Sequence, residues 1–189
     1  MKTTNIMIVG VGGQGSLLAS KMLGNLLVAE GYDVKVSEVH GMSQRGGSVV
    51  TYVRFGEKVY SPIVDKGEAD FIISFEKIEA ARYASYLKPN GKIIVNTQQI
   101  DPMPVITGAA EYPTDALDKL SSLGLSVDSL DALAPAIEAG SSKAVNIVLM
   151  GRLSKYMDIS EEKWINAIKK SVNAKFVEMN LKAFELGRK

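Results

Sequence analysis

Residues 5–15, NIMIVGVGGQG, constrain the fold more than any other part of this chain. Residues 5–9 form a short apolar run ended by Gly10, the pattern of a strand buried on both faces of a parallel sheet. Gly10-Val11-Gly12-Gly13-Gln14-Gly15 then satisfies G-x-G-x-x-G. Residues 14–30 follow, with Leu17, Leu18, Met22, Leu26 and Ala29 spaced as a helix lying on a sheet requires. Gly31 stops that helix just past its end, where glycine is favoured.

The alternation continues along the chain. Residues 33–37 read as a second strand and 48–55, rich in Val, Thr and Tyr, as a third. Phe55-Gly56-Glu57-Lys58 reads as a hairpin turn into a further strand over 59–64. Buried strands are expected at 69–75 and 92–97, separated by a helix over 76–87 and a Lys88-Pro89-Asn90-Gly91 turn. Residues 98–113, with Pro102, Pro104 and Pro113, form an irregular connection. A helix over 115–123 and a short strand near 125–130 come next. Residues 143–156 are apolar almost all round, which predicts a buried helix. Ser160 is placed to cap a helix that carries Trp164, Ile168 and Val172 on one side, and a last helix presents Val177, Leu181 and Phe184. The expectation is an α/β fold in a single domain over residues 1–189. It is a three-layer sandwich with a mostly parallel, partly mixed sheet and a Rossmann-like glycine turn.

Composition removes several chemistries. There is no cysteine, hence no disulfide, no thiolate nucleophile and no cysteine-held iron–sulfur cluster. A single histidine cannot build a zinc site by itself. A net charge of +1 gives no electrostatic case for nucleic acid or an anionic membrane, and no apolar run is long enough to span a bilayer. Residues 98–140 are acidic and the stretch from Ser160 onward is basic, which suggests docking polarity. The N-terminus is unlike a secretory signal, so a cytoplasmic location is expected.

Residues 38–47, EVHGMSQRGG, hold the only histidine, a Gln-Arg pair and three glycines. Ser43, Gln44 and Arg45 suit a polar, anionic ligand or partner, Arg45 through the planar fork that matches carboxylate or phosphate. Glu38 and His40 are candidates for an acid–base pair. Asn146, inside an apolar helix, reads as a satisfied core polar group or a cap on a nearby loop.

Two readings of the glycine turn stand. Helix-terminal N–H groups are unpaired and point at an incoming anion, so Gly10, Gly12, Gly13, Gln14 and Gly15 are candidates to contact phosphate. Alternatively, the glycines only let helix and strand pack closely. A dinucleotide additionally needs a carboxylate about 20 residues on to hold the ribose. Glu38 is the candidate, but the loop joined to it would crowd an adenosine.

Taken together, GVGGQG, EVHGMSQRGG running into SVVTYVRFG, ADFIISFEKIEAARY and KAVNIVLMG resemble the gamma subunits or gamma domains of the 2-oxoacid:ferredoxin oxidoreductases. The resemblance covers nearly the whole chain, and EVHGMSQRGG points to the indolepyruvate branch. It implies an accessory subunit for the oxidative decarboxylation of 2-oxoacids, here aryl pyruvates, to acyl-coenzyme A. Thiamine diphosphate and iron–sulfur clusters would lie on a large catalytic partner, and electrons would reach ferredoxin through the complex. This chain would be inert alone, with the glycine turn and Ser43, Gln44 and Arg45 contacting coenzyme A, the catalytic partner, or both. The alternative is a stand-alone NAD(P)- or nucleotide-binding protein of Rossmann-like fold.

Overall fold

The structure, a computed structural model, describes residues 3–38 and 47–189. Six strands form one sheet: β1 (Thr4–Val11), β2 (Asp33–Glu38), β3 (Ser48–Gly56), β4 (Ala69–Ser74), β5 (Leu87–Asn96) and β6 (Ser126–Leu130). Their spatial order is β2-β3-β1-β4-β5-β6. β3 runs antiparallel to both β1 and β2, while β1, β4, β5 and β6 are mutually parallel. The sheet is therefore mixed through one inserted strand.

Alternate side chains of β1 feed two cores. Ile6 and Ile8 pack with α1 (Ser16–Ala29), α6 (Val145–Ser154), α7 (Glu161–Ser171) and α8 (Val177–Arg188). Met7 and Val9 pack with Ala80 of α2 (Lys77–Tyr83) and Leu120 of α4 (Ala116–Ser122) on the other face. Burial from both sides is why the strand reads as a continuous apolar run. α6 packs against both β5 and α8, which accounts for its lack of a polar face.

Several expectations shift. The strand expected over 59–64 is absent. Pro62 lacks the N–H that a ladder needs. Side chains satisfy this stretch instead: the Arg54 guanidinium donates to the carbonyls of Ser61 (3.1 Å) and Ile63 (2.6 Å), and the Asp33 carboxylate accepts from the Val59 N–H at 2.9 Å. The antiparallel element comes from β2 and β3 facing each other across the 39–46 segment. Lys88 to Gly91 is an irregularity inside β5, where pairing jumps from Ala69↔Leu87 to Phe71↔Lys92 and Asn90 adopts φ 66°.

The connection after β5 carries a one-turn helix, α3 (Met103–Ile106), and the chain before α6 carries an unforeseen helix, α5 (Leu133–Ala139). Pro135 lies in the first turn of α5, where it is tolerated, and the Asp131 carboxylate accepts from the N–H groups of Leu133 (2.9 Å) and Ala134 (3.3 Å). Ser160 stands at the N-cap of α7, but its hydroxyl makes no capping bond.

The buried stripe of α8 is Asn180, Ala183, Phe184 and Gly187, rotated from the expected Val177-Leu181-Phe184 line. Small residues explain the rotation. A Cβ on Gly187 would lie 2.1 Å from the Val148 carbonyl oxygen, and one on Gly151 would lie 2.3 Å from that of Phe184. The two helices approach at their glycines.

Candidate functional site

β1 leads to α1 on one face of the sheet and β4 leads to α2 on the other. The crossovers part between these neighbouring parallel strands, and in open α/β sheets a ligand crevice forms at that point, beyond the strands' carboxyl ends. A crevice of about 220 Å³ lies here, lined by Val11, Ser48, Ile78, Glu79, Ile100 and Met103 among others.

The six residues of the glycine turn divide their work. Gly10 belongs to the β1 ladder opposite Val49 and is packed tightly: a Cβ there would meet Gln14 Oε1 at 2.8 Å and Phe75 Cβ at 2.9 Å. Gln14 uses its whole amide within the chain. Its Oε1 accepts from the Val11 N–H at 2.7 Å, and its Nε2 donates to the Phe75 carbonyl (3.1 Å) and to Gln98 Oε1 (3.3 Å). The side chain thus closes the turn onto the end of β4. The Gly12 N–H donates to the Gly47 carbonyl at 2.9 Å.

Gly13 (φ 98°) and Gly15 (φ 86°) adopt left-handed backbone, and Gly15 is the N-cap of α1. The N–H groups of Gly13, Gly15 and Ser16 have no partner among the described residues. They are the orphan donors that a helix start offers to an anion. Asn146 holds this corner from behind, its Nδ2 donating to the Gly15 carbonyl at 3.2 Å. The expected loop cap is present.

His40, Ser43, Gln44 and Arg45 lie outside the described residues, as does the histidine half of the Glu38–His40 pair. The flanks of that segment are well placed: Glu38 ends β2 and Gly47 joins the glycine turn. Glu38 Oε1 accepts from the Ser20 hydroxyl of α1 at 2.6 Å.

A buried acidic network under the crevice escaped sequence reasoning. Glu76 and Glu79 are both almost fully buried. Glu76 caps α2 by accepting from the Glu79 N–H (3.1 Å), and it also accepts from the Ile100 N–H (3.3 Å) and the Tyr112 hydroxyl. Glu79 accepts from Arg82 Nε (3.0 Å) and from the Ser48 hydroxyl. Burial, and then the Glu76 carboxylate, push the Tyr112 hydroxyl well above its usual range. In the sequence these two acids stand within ADFIISFEKIEAARY, with nothing local to mark them as buried. Every one of these groups is partnered, so the network holds α2, the 98–113 connection and the start of β3 together.

A family model described as pyruvate ferredoxin/flavodoxin oxidoreductase matches residues 5–189. The chain belongs to this family. Along its entire length it is 47% identical to indolepyruvate oxidoreductase subunit IorB of Thermococcus kodakarensis, covering 96% of that protein. The subunit of the same name from Pyrococcus horikoshii is 45% identical, also with all of this chain and 96% of the relative aligned. In fold the chain is similar to the gamma subunit of a keto/oxoacid ferredoxin oxidoreductase from Geobacter sulfurreducens, with a TM-score of 0.71 at 22% identity over 97% of this chain and 95% of that one.

The stand-alone dinucleotide-binding alternative is not favoured. In a Rossmann sheet the strand bearing the ribose carboxylate lies beside β1. In this pyruvate ferredoxin/flavodoxin oxidoreductase family chain, β3 occupies that place and moves β2 one strand outward. At roughly 4.8 Å per strand, Glu38 sits about 10 Å from β1 in the plane of the sheet, and its carboxylate is engaged by Ser20.

Proposed function

We propose that the chain is the accessory, gamma-type subunit of an indolepyruvate-type 2-oxoacid:ferredoxin oxidoreductase, inert alone and cytoplasmic. In this reading the complex oxidatively decarboxylates aryl pyruvates to acyl-coenzyme A and passes the electrons to ferredoxin. The observation that carries it is identity of 45–47% with IorB subunits along the whole of this chain.

Thiamine diphosphate and the iron–sulfur clusters belong on a larger partner in this account, since a chain without cysteine has no thiolate to hold a cluster. Coenzyme A supplies the thiol that accepts the acyl group. Its phosphates fit the donor set at the start of α1, where Gly13, Gly15 and Ser16 offer N–H groups with no partner among the described residues. Gly10, Gly12 and Gln14 hold the shape of the turn. Ser43, Gln44 and Arg45 are assigned to the same ligand, with Arg45 pairing to phosphate through its fork. The Gly12–Gly47 bond supports this assignment by bringing the end of their segment to the turn.

The test is anaerobic affinity purification of the tagged chain from its native extract, with iron and thiamine analysis of what accompanies it. A brown, thiamine-containing partner is expected. A colourless, partner-free protein carrying a dinucleotide would contradict the reading.

A further inference from the structure

The crevice opens beside two exposed apolar side chains. Met103 and Ile106 of α3 are each 65% exposed. They are held in that position by backbone, not by collapse onto a core: the N–H groups of Val105 and Ile106 donate to the Pro102 carbonyl at 2.9 and 3.1 Å. Residues 109 and 110 fold back on the same turn, both donating to the Pro104 carbonyl. Met103 also lines the crevice, and Leu17, just past the glycine turn, is 56% exposed.

We infer that the α3 surface, Met103 and Ile106 framed by Asp101 and Glu111, is where the larger catalytic subunit docks, so that the ligand site is closed by the partner. The inference rests on the proposed function. Three observations choose this occupant. First, the crevice, at about 220 Å³, is smaller than the roughly 300–1,000 Å³ of self-contained ligand pockets. Second, in the proposed function the thiamine and cluster chemistry lies on another chain, and that chain must reach a ligand held beside the crevice mouth. Third, the frame is acidic. Glu111 has no ion-pair partner among the described residues, and Asp101 receives only the Gln99 amide at 2.9 Å. Two cations are near and both are engaged: Lys77 lies over the Tyr112 ring at 5.1 Å, and Arg82, which lines the crevice, pairs with Glu79 at 3.0 Å. The matching partner surface is apolar at its centre with Lys and Arg around it.

The test measures the affinity of the full chain for the purified larger subunit by biolayer interferometry under anaerobic conditions. The double variant Met103→Asp/Ile106→Asp is expected to bind at least tenfold more weakly, with the melting temperature of the isolated chain unchanged because both side chains are exposed. Leu123→Asp, at a still more exposed apolar residue (76%) closing α4, should stay within twofold of wild type. Glu111→Lys should weaken binding and flatten its salt dependence. Wild-type affinity in the double variant, or an equal loss in Leu123→Asp, would overturn the docking surface while leaving the functional reading intact. Failure of the wild-type chain to bind the larger subunit would overturn both.

Discussion

The Gly12 N–H donates to the Gly47 carbonyl at 2.9 Å, tying the glycine turn to the residue at which the 38–47 segment re-enters the sheet. One residue on, the Ser48 hydroxyl donates to Glu79, which is itself held by Arg82. Glu79→Ala removes a buried acceptor from the half-buried Ser48 hydroxyl and the half-exposed Arg82 guanidinium, at a cost of about 1 kcal/mol. Its effect should be local: the Gly12 amide is expected to exchange faster while the Val53 amide in the middle of β3 keeps its protection. Hydrogen exchange with residue resolution checks this, and equal acceleration at both sites would contradict it.

Gln14→Ala should destabilise the chain by about 1–2 kcal/mol, because the half-buried Val11 N–H loses its acceptor and the Phe75 carbonyl keeps only the Asn96 amide, at 3.2 Å. Gly15→Ala should cost about 1–2 kcal/mol from its left-handed backbone. Part of any further loss would come from the Asn146 amide, 3.0 Å from the added Cβ. Urea unfolding of each variant measures both.

Two glycines make an internal control. Gly187→Ala places a methyl 2.1 Å from the Val148 carbonyl oxygen and must push α8 off α6, so a loss of about 3 kcal/mol or more is expected. Gly24→Ala, in the middle of α1 with its nearest neighbour at 3.7 Å, should instead stabilise by about 0.5–1 kcal/mol. Paired thermal melts distinguish the two.

Asp128 on β6 gives an acid signature. Burial would raise its pKa, but hydrogen bonds from Arg152 (2.7 and 2.9 Å) and the Tyr156 hydroxyl (2.6 Å) outweigh burial and hold it below the ordinary carboxylate range. A depressed carboxylate contributes stability that is fully present above its unfolded pKa of about 3.9 and lost as pH falls through the lower folded value. Asp128→Asn should therefore be less stable than wild type at neutral pH, with the difference shrinking below about pH 4. A difference constant from pH 7 to pH 3 would contradict this.

What was legible in the sequence follows from where the signal lies. Continuous apolar runs marked β1, β4 and β5 because those strands are buried on both faces. The glycine turn was visible because strand, G-x-G-x-x-G and helix coincide. The order of strands was not visible, since nothing local tells Ser48 to Gly56 to insert between β1 and β2. The stripe of α8 was misread because Asn180 and Gly187 face the core: the asparagine Nδ2 is satisfied by the Phe176 carbonyl at 2.8 Å, and the glycine is chosen for close approach. Gln14 reads as a ligand contact until its three partners, two of them more than 60 residues away, are seen.

The central claim is tested most directly by reconstitution. The purified chain and the larger subunit would be assayed anaerobically, separately and mixed, for ferredoxin reduction driven by indolepyruvate and coenzyme A. The account predicts no turnover by this chain alone, little by the larger subunit alone, and full coenzyme A-dependent turnover on mixing at equal stoichiometry. Full activity of the larger subunit without this chain would contradict it.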